Sequence, residues 1–283
     1  MNPSTFTARK LALAILLVLI AVAPPRTHAV ILDNSFFIEE AYNQETRVVQ
    51  HIQTIHSSWE RRTGGTARAF SYGFTQEWPL GSQRHQLSYT IPYERRSGNQ
   101  QGARGIGDVQ VHYRLQALGE NEAQPALAPR FTVVLPTGNS SRGLGAGTPG
   151  IQVNIPASKK VGWAHLHANA GATIFPDARI TLSSGVESPP HDLMATNLGF
   201  STILLLGQRL NILLEVVTNT EESIGESGET EREVRAFASP GLRFAIDRKE
   251  GVQWVLGAAA PFGLSDAADD FALLLYTSFE HPF

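Results

Sequence analysis

The feature that most constrains this chain is a two-residue alternation sustained over stretches too long for an ordinary globular sheet. In "VRAFASPGLRFAID", Val234, Ala236, Ala238, Pro240, Leu242, Phe244 and Ile246 share one parity, while Arg235, Ser239, Arg243 and Asp247 share the other. In "DVQVHYRLQA", Val109, Val111, Tyr113 and Leu115 alternate with Asp108, Gln110, His112, Arg114 and Gln116. The C terminus repeats the pattern, with Phe271, Leu273, Leu275, Phe279 and Phe283 on one parity. Side chains of a strand alternate between two faces, so each segment reads as a ribbon with one apolar and one polar side. Strands of globular sheets usually run about five or six residues, whereas about ten tilted residues cross the hydrocarbon of a bilayer. After residue 29 no stretch reaches the eighteen or so apolar residues of a membrane helix.

Alternation and turn residues mark twelve segments, near 47–59, 66–78, 84–93, 106–117, 126–135, 150–156, 162–175, 193–206, 210–217, 232–246, 252–262 and 270–283. The links between them alternate in length: "ERRTGG" then "PLGSQ", "ERRSGNQQGARG" then "GENEAQ", "PTGNSSRGLGAGT" then "ASKKV", "PDARITLSSGVESPPH" then "GQR", and "TNTEESIGESGETE" then "DRKEG". Every second link thus belongs to the same end of the sheet. Short periplasmic turns, long external loops and an even strand number are the pattern of an outer-membrane barrel. The expected fold is all-β: a transmembrane, antiparallel, up-and-down β-barrel of about 12 strands. A secreted sandwich or lipocalin-like barrel also alternates, but turns its apolar parity inward. Strand length, loop asymmetry and aromatics near strand ends, Trp59, Trp78 and Trp163, favour the membrane. Trp163 fits badly, because it shares its parity with His165 and His167.

The N terminus agrees. Residues 1–29 read as a cleaved signal peptide: basic Arg9 and Lys10, thirteen apolar residues in "LALAILLVLIAVA", then "PPRTHA". The remainder carries 20 basic and 26 acidic residues, a formal charge of −6, which argues against a nucleic-acid partner. The chain has no cysteine, so disulfide scaffolds, thiolate catalysis and cysteine zinc sites are excluded.

With the apolar parity toward lipid, the other parity lines the lumen. Its candidates are Gln86, Ser88, Thr90 and Glu94; Asp108, His112 and Arg114; His165, His167 and Asn169; Asn211 and Glu215; and Arg235, Arg243 and Asp247. Both charge signs occur, and twelve strands fall between filled eight-stranded barrels and open porins, so a narrow or obstructed conduit is expected. Residues 30–45 precede the barrel proper (46–283) and are expected to form either an extended tether or a luminal plug. For the plug, Phe36 and Phe37 would supply apolar contact, and Glu39 and Glu40 partners for lumen arginines. His165 and His167 share a strand face, but no acidic third ligand lies nearby, so no metal site is assigned. No G-x-S-x-G marks a nucleophile, and Leu144 stands where a phosphate loop needs lysine. The glutamates of "EESIGESGETE" read as a solvated loop tip. No enzymatic activity and no cofactor are expected.

Three stretches carry a family resemblance: "NSFFIEEAYNQE" (34–45), "GIGDVQVHYRLQAL" (105–118) and "LPTGNSSRGLGAGTPGIQVNIPASKKVG" (135–162). They resemble the outer-membrane transporters grouped under the MetA pathway of phenol degradation. The resemblance implies a bacterial outer-membrane location and passive passage of small solutes, with aromatic or apolar compounds among them. A terminal Phe283 is similar to the signal by which such barrels are recognised for assembly, with His281 at a position where that signal favours an apolar or aromatic residue. Expected partners are outer-membrane lipids, the barrel assembly machinery and small solutes. A sealed structural or surface-interaction barrel is the alternative, and an outer-membrane lipid hydrolase a more remote one.

Overall fold

The computed structural model describes residues 35–283 apart from 63–64, 98–101, 183–184, 208, 226 and 248–250. The segment assigned as a signal peptide lies outside the described residues, as do residues 30–34. Twelve strands form one sheet: β1 (Val48–Arg62), β2 (Gly65–Leu80), β3 (Ser82–Ser97), β4 (Val109–Leu115), β5 (Arg130–Leu135), β6 (Gly150–Val161), β7 (Ala164–Ala178), β8 (His191–Leu205), β9 (Leu210–Ile224), β10 (Thr230–Asp247), β11 (Gln253–Ala259) and β12 (Phe271–Pro282). Three short segments extend the ladder: Ala103–Ile106 on β3, Ala126–Leu127 on β6, and Phe262–Gly263 between β10 and β12.

Each strand pairs antiparallel with its chain neighbours, and β1 returns to β12 from Val48↔Pro282 to Trp59↔Phe271. The sheet is closed. Closure explains the ordered, aromatic C terminus: in lipid an unpaired edge would leave backbone N–H and C=O groups without partners. The seam ends where Phe283 N donates to Arg47 O at 2.9 Å.

The apolar parity faces outward. Leu242 is 54% exposed, Phe244 41% and Leu198 63%, while Arg243 is 1% and Arg114 4% exposed. A soluble barrel would reverse this order. Ile151, Val153 and Ile155 on β6, Trp254 and Leu256 on β11, and Leu273 and Leu275 on β12 complete an apolar outer belt. Trp59 stacks on Phe271 with centroids 6.0 Å apart, and Trp78 meets Tyr89 edge-on at 6.0 Å. Trp163 occupies the turn between β6 and β7, where strand parity no longer applies; that removes the conflict with His165 and His167.

Two sequence expectations need correction. Several long links are partly strand: the "TNTEESIGESGETE" stretch is absorbed into β9 as far as Ile224 and β10 from Thr230, with Glu222 paired to Arg232 across the ladder. Polar side chains hide such extensions, because beyond the bilayer neither face needs to be apolar. Conversely "GENEAQ" sits in a substantial connection between β4 and β5, whereas "PLGSQ" shrinks to one left-handed residue, Gly81, with φ of 73°.

Candidate functional site

Residues 35–45 run through the interior of the barrel, and the inward parity is built around them. Glu215, fully buried on β9, accepts from the backbone N–H of Phe37 (2.8 Å) and of Ile38 (3.1 Å). Ser201 on β8 meets Ser35, hydroxyl to hydroxyl, at 2.8 Å. Ser158 on β6 accepts from Ala41 N at 2.7 Å and contacts His167 Nδ1 at 2.7 Å. Glu39 forms an ion pair with Arg130 on β5 and accepts from Asn154 Nδ2 at 2.9 Å. Arg114 on β4 donates to Asn43 Oδ1 (2.8 Å), Tyr42 O (2.7 Å), Glu40 O (3.3 Å) and Gln86 Oε1 (3.1 Å). Below it, Gln86 also accepts from Gln44 N at 2.7 Å, and Tyr42 donates to Glu120 Oε2 in the β4–β5 connection. An irregular backbone buried in a barrel needs partners for its N–H and C=O groups. Here side chains from β3, β4, β6 and β9 supply them.

The segment's apolar residues have their own seat. Phe36 enters a cluster of Ile52, Ile203, Leu213, Ala245, Val255, Ala259, Leu274 and Tyr276, with Phe37 and Leu205 against it. The inward parity is therefore not polar throughout, which corrects the reading of each ribbon as having one wholly polar side. Three inward glycines make the room: a Cβ on Gly241 or Gly257 would lie 2.6 Å from the Phe36 ring, and one on Gly199 would collide with Ile38. Gly257→Val should displace Phe36 and lower barrel stability by about 1–3 kcal/mol, the usual cost of overpacking. Phe36→Ala added to it should recover part of that loss. The midpoint of urea unfolding in detergent reads both; additive losses would contradict the seat.

Toward the loop end the lumen opens into a cavity of about 660 Å³ floored by Phe37, Ile38 and Glu39. The "GIGD" and "LPTG" motifs meet at its wall. Thr137 Oγ1 donates to Gly107 O at 2.9 Å and accepts from Val109 N at 2.9 Å. Asp108 accepts from Gly138 N at 2.9 Å through one carboxylate oxygen and from Ala146 N at 2.8 Å through the other. This pins the β5–β6 loop against the mouth and buries Leu144. The long link read from sequence as an external loop is thus tied at both ends by one carboxylate. Asp108→Ala should free it, and trypsin should then cut at exposed Arg142 several-fold faster; an unchanged rate of that cut would contradict the tether.

Of the other sequence candidates, His112, His165, His167, Asn169, Asn211, Gln86 and Ser88 are buried and inward. Glu94 reaches the cavity wall, paired with Arg96 at 2.7 Å. Arg235 is exposed at the loop end, paired with Glu233 at 2.7 Å, and Asp247 is exposed at the turn end. Glu40 is buried in the segment. Sequence reasoning missed Arg130, Ser158, Ser201, Asn154 and the three glycines. Arg130 and Asn154 stand on the inward parity of strands already recognised, so the signal was present; a glycine announces no ligand.

A crystal structure of an outer membrane channel from Pseudomonas putida F1 is similar over 86% of this chain and 98% of its own, with a TM-score of 0.63 and 14% identity. The translocator domain of the autotransporter NalP from Neisseria meningitidis is similar over 85% and 90%, with a TM-score of 0.54 and 10% identity. The fold is that of a bacterial outer-membrane β-barrel. No family model matches the chain, and neither does any curated protein. In outer-membrane barrels the long-loop end faces the exterior and the short turns face the periplasm; the cavity lies at the loop end of this one.

Proposed function

We propose that this outer-membrane barrel is a channel for small solutes and that the segment 35–45 acts as its luminal plug. The observation that carries the reading is the threading of residues 35–45 through the lumen, directly beneath a cavity open to the exterior. A barrel needing only rigidity could fill its interior with large side chains; this one keeps inward glycines and holds a separable piece of chain with hydrogen bonds. Of the charges around the cavity, Glu39 is matched by Arg130, Glu94 by Arg96 and Glu221 by Arg235 at 4.0 Å, while Asp108 is engaged by the backbone N–H groups of Gly138 and Ala146. Phe37 and Phe237, 4.9 Å apart edge-on, add an apolar shelf. That lining suits uncharged solutes, small aromatic or apolar compounds among them, better than ions of one sign. The outer-membrane channel from Pseudomonas putida supports the channel reading by analogy of fold.

The second reading is a sealed structural barrel, favoured by the same buried contacts at Arg114 and Glu215. Purified full-length protein in a planar bilayer separates the two. Reproducible conductance steps, with swelling of proteoliposomes in uncharged solutes, support the channel; persistent silence in both assays supports the seal.

A further inference from the structure

On the external half of the barrel the outer face carries an uneven set of charges. Arg61 on β1, Arg68 on β2, Arg95 on β3 and Arg104 in the segment Ala103–Ile106 are all exposed. Register places them together: Arg68 pairs with Trp59, two residues below Arg61; Phe70, two residues below Arg68, pairs with Arg95; and Arg95 pairs directly with Arg104. All four stand on the outward parity. In β1 the inward parity belongs to Gln50, Ile52 and Ser58, in β2 to Glu77, and in β3 to Gln86 and Ser88. Arg104 follows Arg95, because directly paired residues share a face.

Below the arginines, toward the bilayer, the same face is greasy and aromatic: Trp59 stacked on Phe271, then Phe70, Tyr72, Tyr93 and Ile106. This marks the boundary between hydrocarbon and headgroups. Elsewhere on the rim, several arginines are matched: Arg232 pairs with Glu222, Arg235 with Glu233, and Arg179 with Glu187 at 3.6 Å. Among the described residues, none of Arg61, Arg68, Arg95 and Arg104 forms an ion pair with a carboxylate. Asp270 accepts from the backbone N–H of Arg61 at 2.8 Å.

We propose that these four arginines form a lipid site for the phosphates of a phosphorylated glycolipid of the outer leaflet, its acyl chains lying on the aromatic and aliphatic surface beneath. Guanidinium groups match phosphate oxygens with paired N–H donors. Four of them at headgroup depth, none in an ion pair with a carboxylate among the described residues, are suited to an anion from the membrane. An apolar surface directly below distinguishes a lipid from free phosphate as the occupant.

The test uses full-length protein in detergent with bisphosphorylated lipid A, the same lipid enzymatically dephosphorylated, and inorganic phosphate, each titrated by native mass spectrometry and by thermal unfolding. Wild type should retain bisphosphorylated lipid A and unfold at a higher temperature with it; the dephosphorylated lipid and inorganic phosphate should give neither effect. R61Q/R68Q/R95Q/R104Q should weaken retention by roughly a thousandfold, from the usual contribution of four arginines beside an anionic surface. R232Q/R235Q, which removes matched charges, should leave it unchanged. Should the quadruple variant fail to close, judged by its migration unheated, R68Q/R95Q is read instead with a smaller loss expected. Equal retention of the dephosphorylated lipid, equal stabilisation by inorganic phosphate, or full retention by the arginine variants would overturn the proposal.

Discussion

Deleting residues 30–45 should convert a small conductance into a larger and steadier one. Residues 35–45 bridge opposite walls, from Glu215 on β9 to Arg114 on β4, and floor the external cavity. Their removal leaves those side chains facing a lumen wide enough for water, which can then solvate them. The barrel should still close, since the β1–β12 seam begins at Val48 and runs through backbone pairs outside the deleted part. Stability should fall, because Phe36 leaves its cluster; loss of a buried phenyl ring costs about 3–5 kcal/mol, and water filling the site offsets none of the lost packing. Planar-bilayer recordings of the truncated protein, with its unheated gel migration as the control for closure, read the effect. A conductance equal to that of the full chain would leave the segment as a tether.

Arg114→Ala should have the next largest effect. Arg114 is 4% exposed, and its guanidinium supports the segment at Asn43, Tyr42 and Glu40, with Gln86 and Glu77 beside it, the latter at 3.9 Å. Hydrogen bonds from a charged donor contribute more than neutral ones, and taking one partner from a buried charged group is costly. A loss of about 3–5 kcal/mol is expected, measured as a shift in urea unfolding midpoint in lipid vesicles. Arg114→Lys should recover little, because a single ammonium cannot reach acceptors arranged around a planar fork. A loss below about 1 kcal/mol would mean that the arm is held elsewhere.

The barrel was legible because lipid imposes one rule on every strand: a residue facing hydrocarbon must be apolar. Val111 and Tyr113 against His112 and Arg114 express that rule without interruption, and the structure keeps it. Where other demands act, the reading weakens. On β9, "NILLEVV" is almost continuously apolar because Leu213 and Val217 face inward while Ile212, Leu214 and Val216 face out. The same blurring occurs on β12, where Ala272, Leu274 and Tyr276 fill the interior beside Phe36. Strand ends beyond the bilayer were hidden for the opposite reason, since residues such as Glu222 and Arg232 meet water on both sides.

The site was legible in kind and not in pairing. Phe36, Phe37, Glu39 and Glu40 were recognisable as material for an interior contact, and Arg114 and Glu215 as inward charges. Which residue meets which depends on barrel stagger, and that is a property of the closed sheet. Glu39 meets Arg130, and Glu215 receives backbone N–H groups in place of an arginine. Gly199, Gly241 and Gly257 acquire meaning only once a side chain is seen to need their space.

The central claim is that the arm lies in the lumen and governs passage. The chain has no cysteine, so Ser35→Cys/Ser201→Cys adds a single pair, at positions whose hydroxyls are 2.8 Å apart. A disulfide needs little movement there. The account predicts spontaneous cross-linking in the folded barrel, low conductance while oxidised, and fluctuating larger openings when a reductant is added to the bilayer chamber. Failure to cross-link in a closed barrel, or a conductance identical before and after reduction, would contradict it.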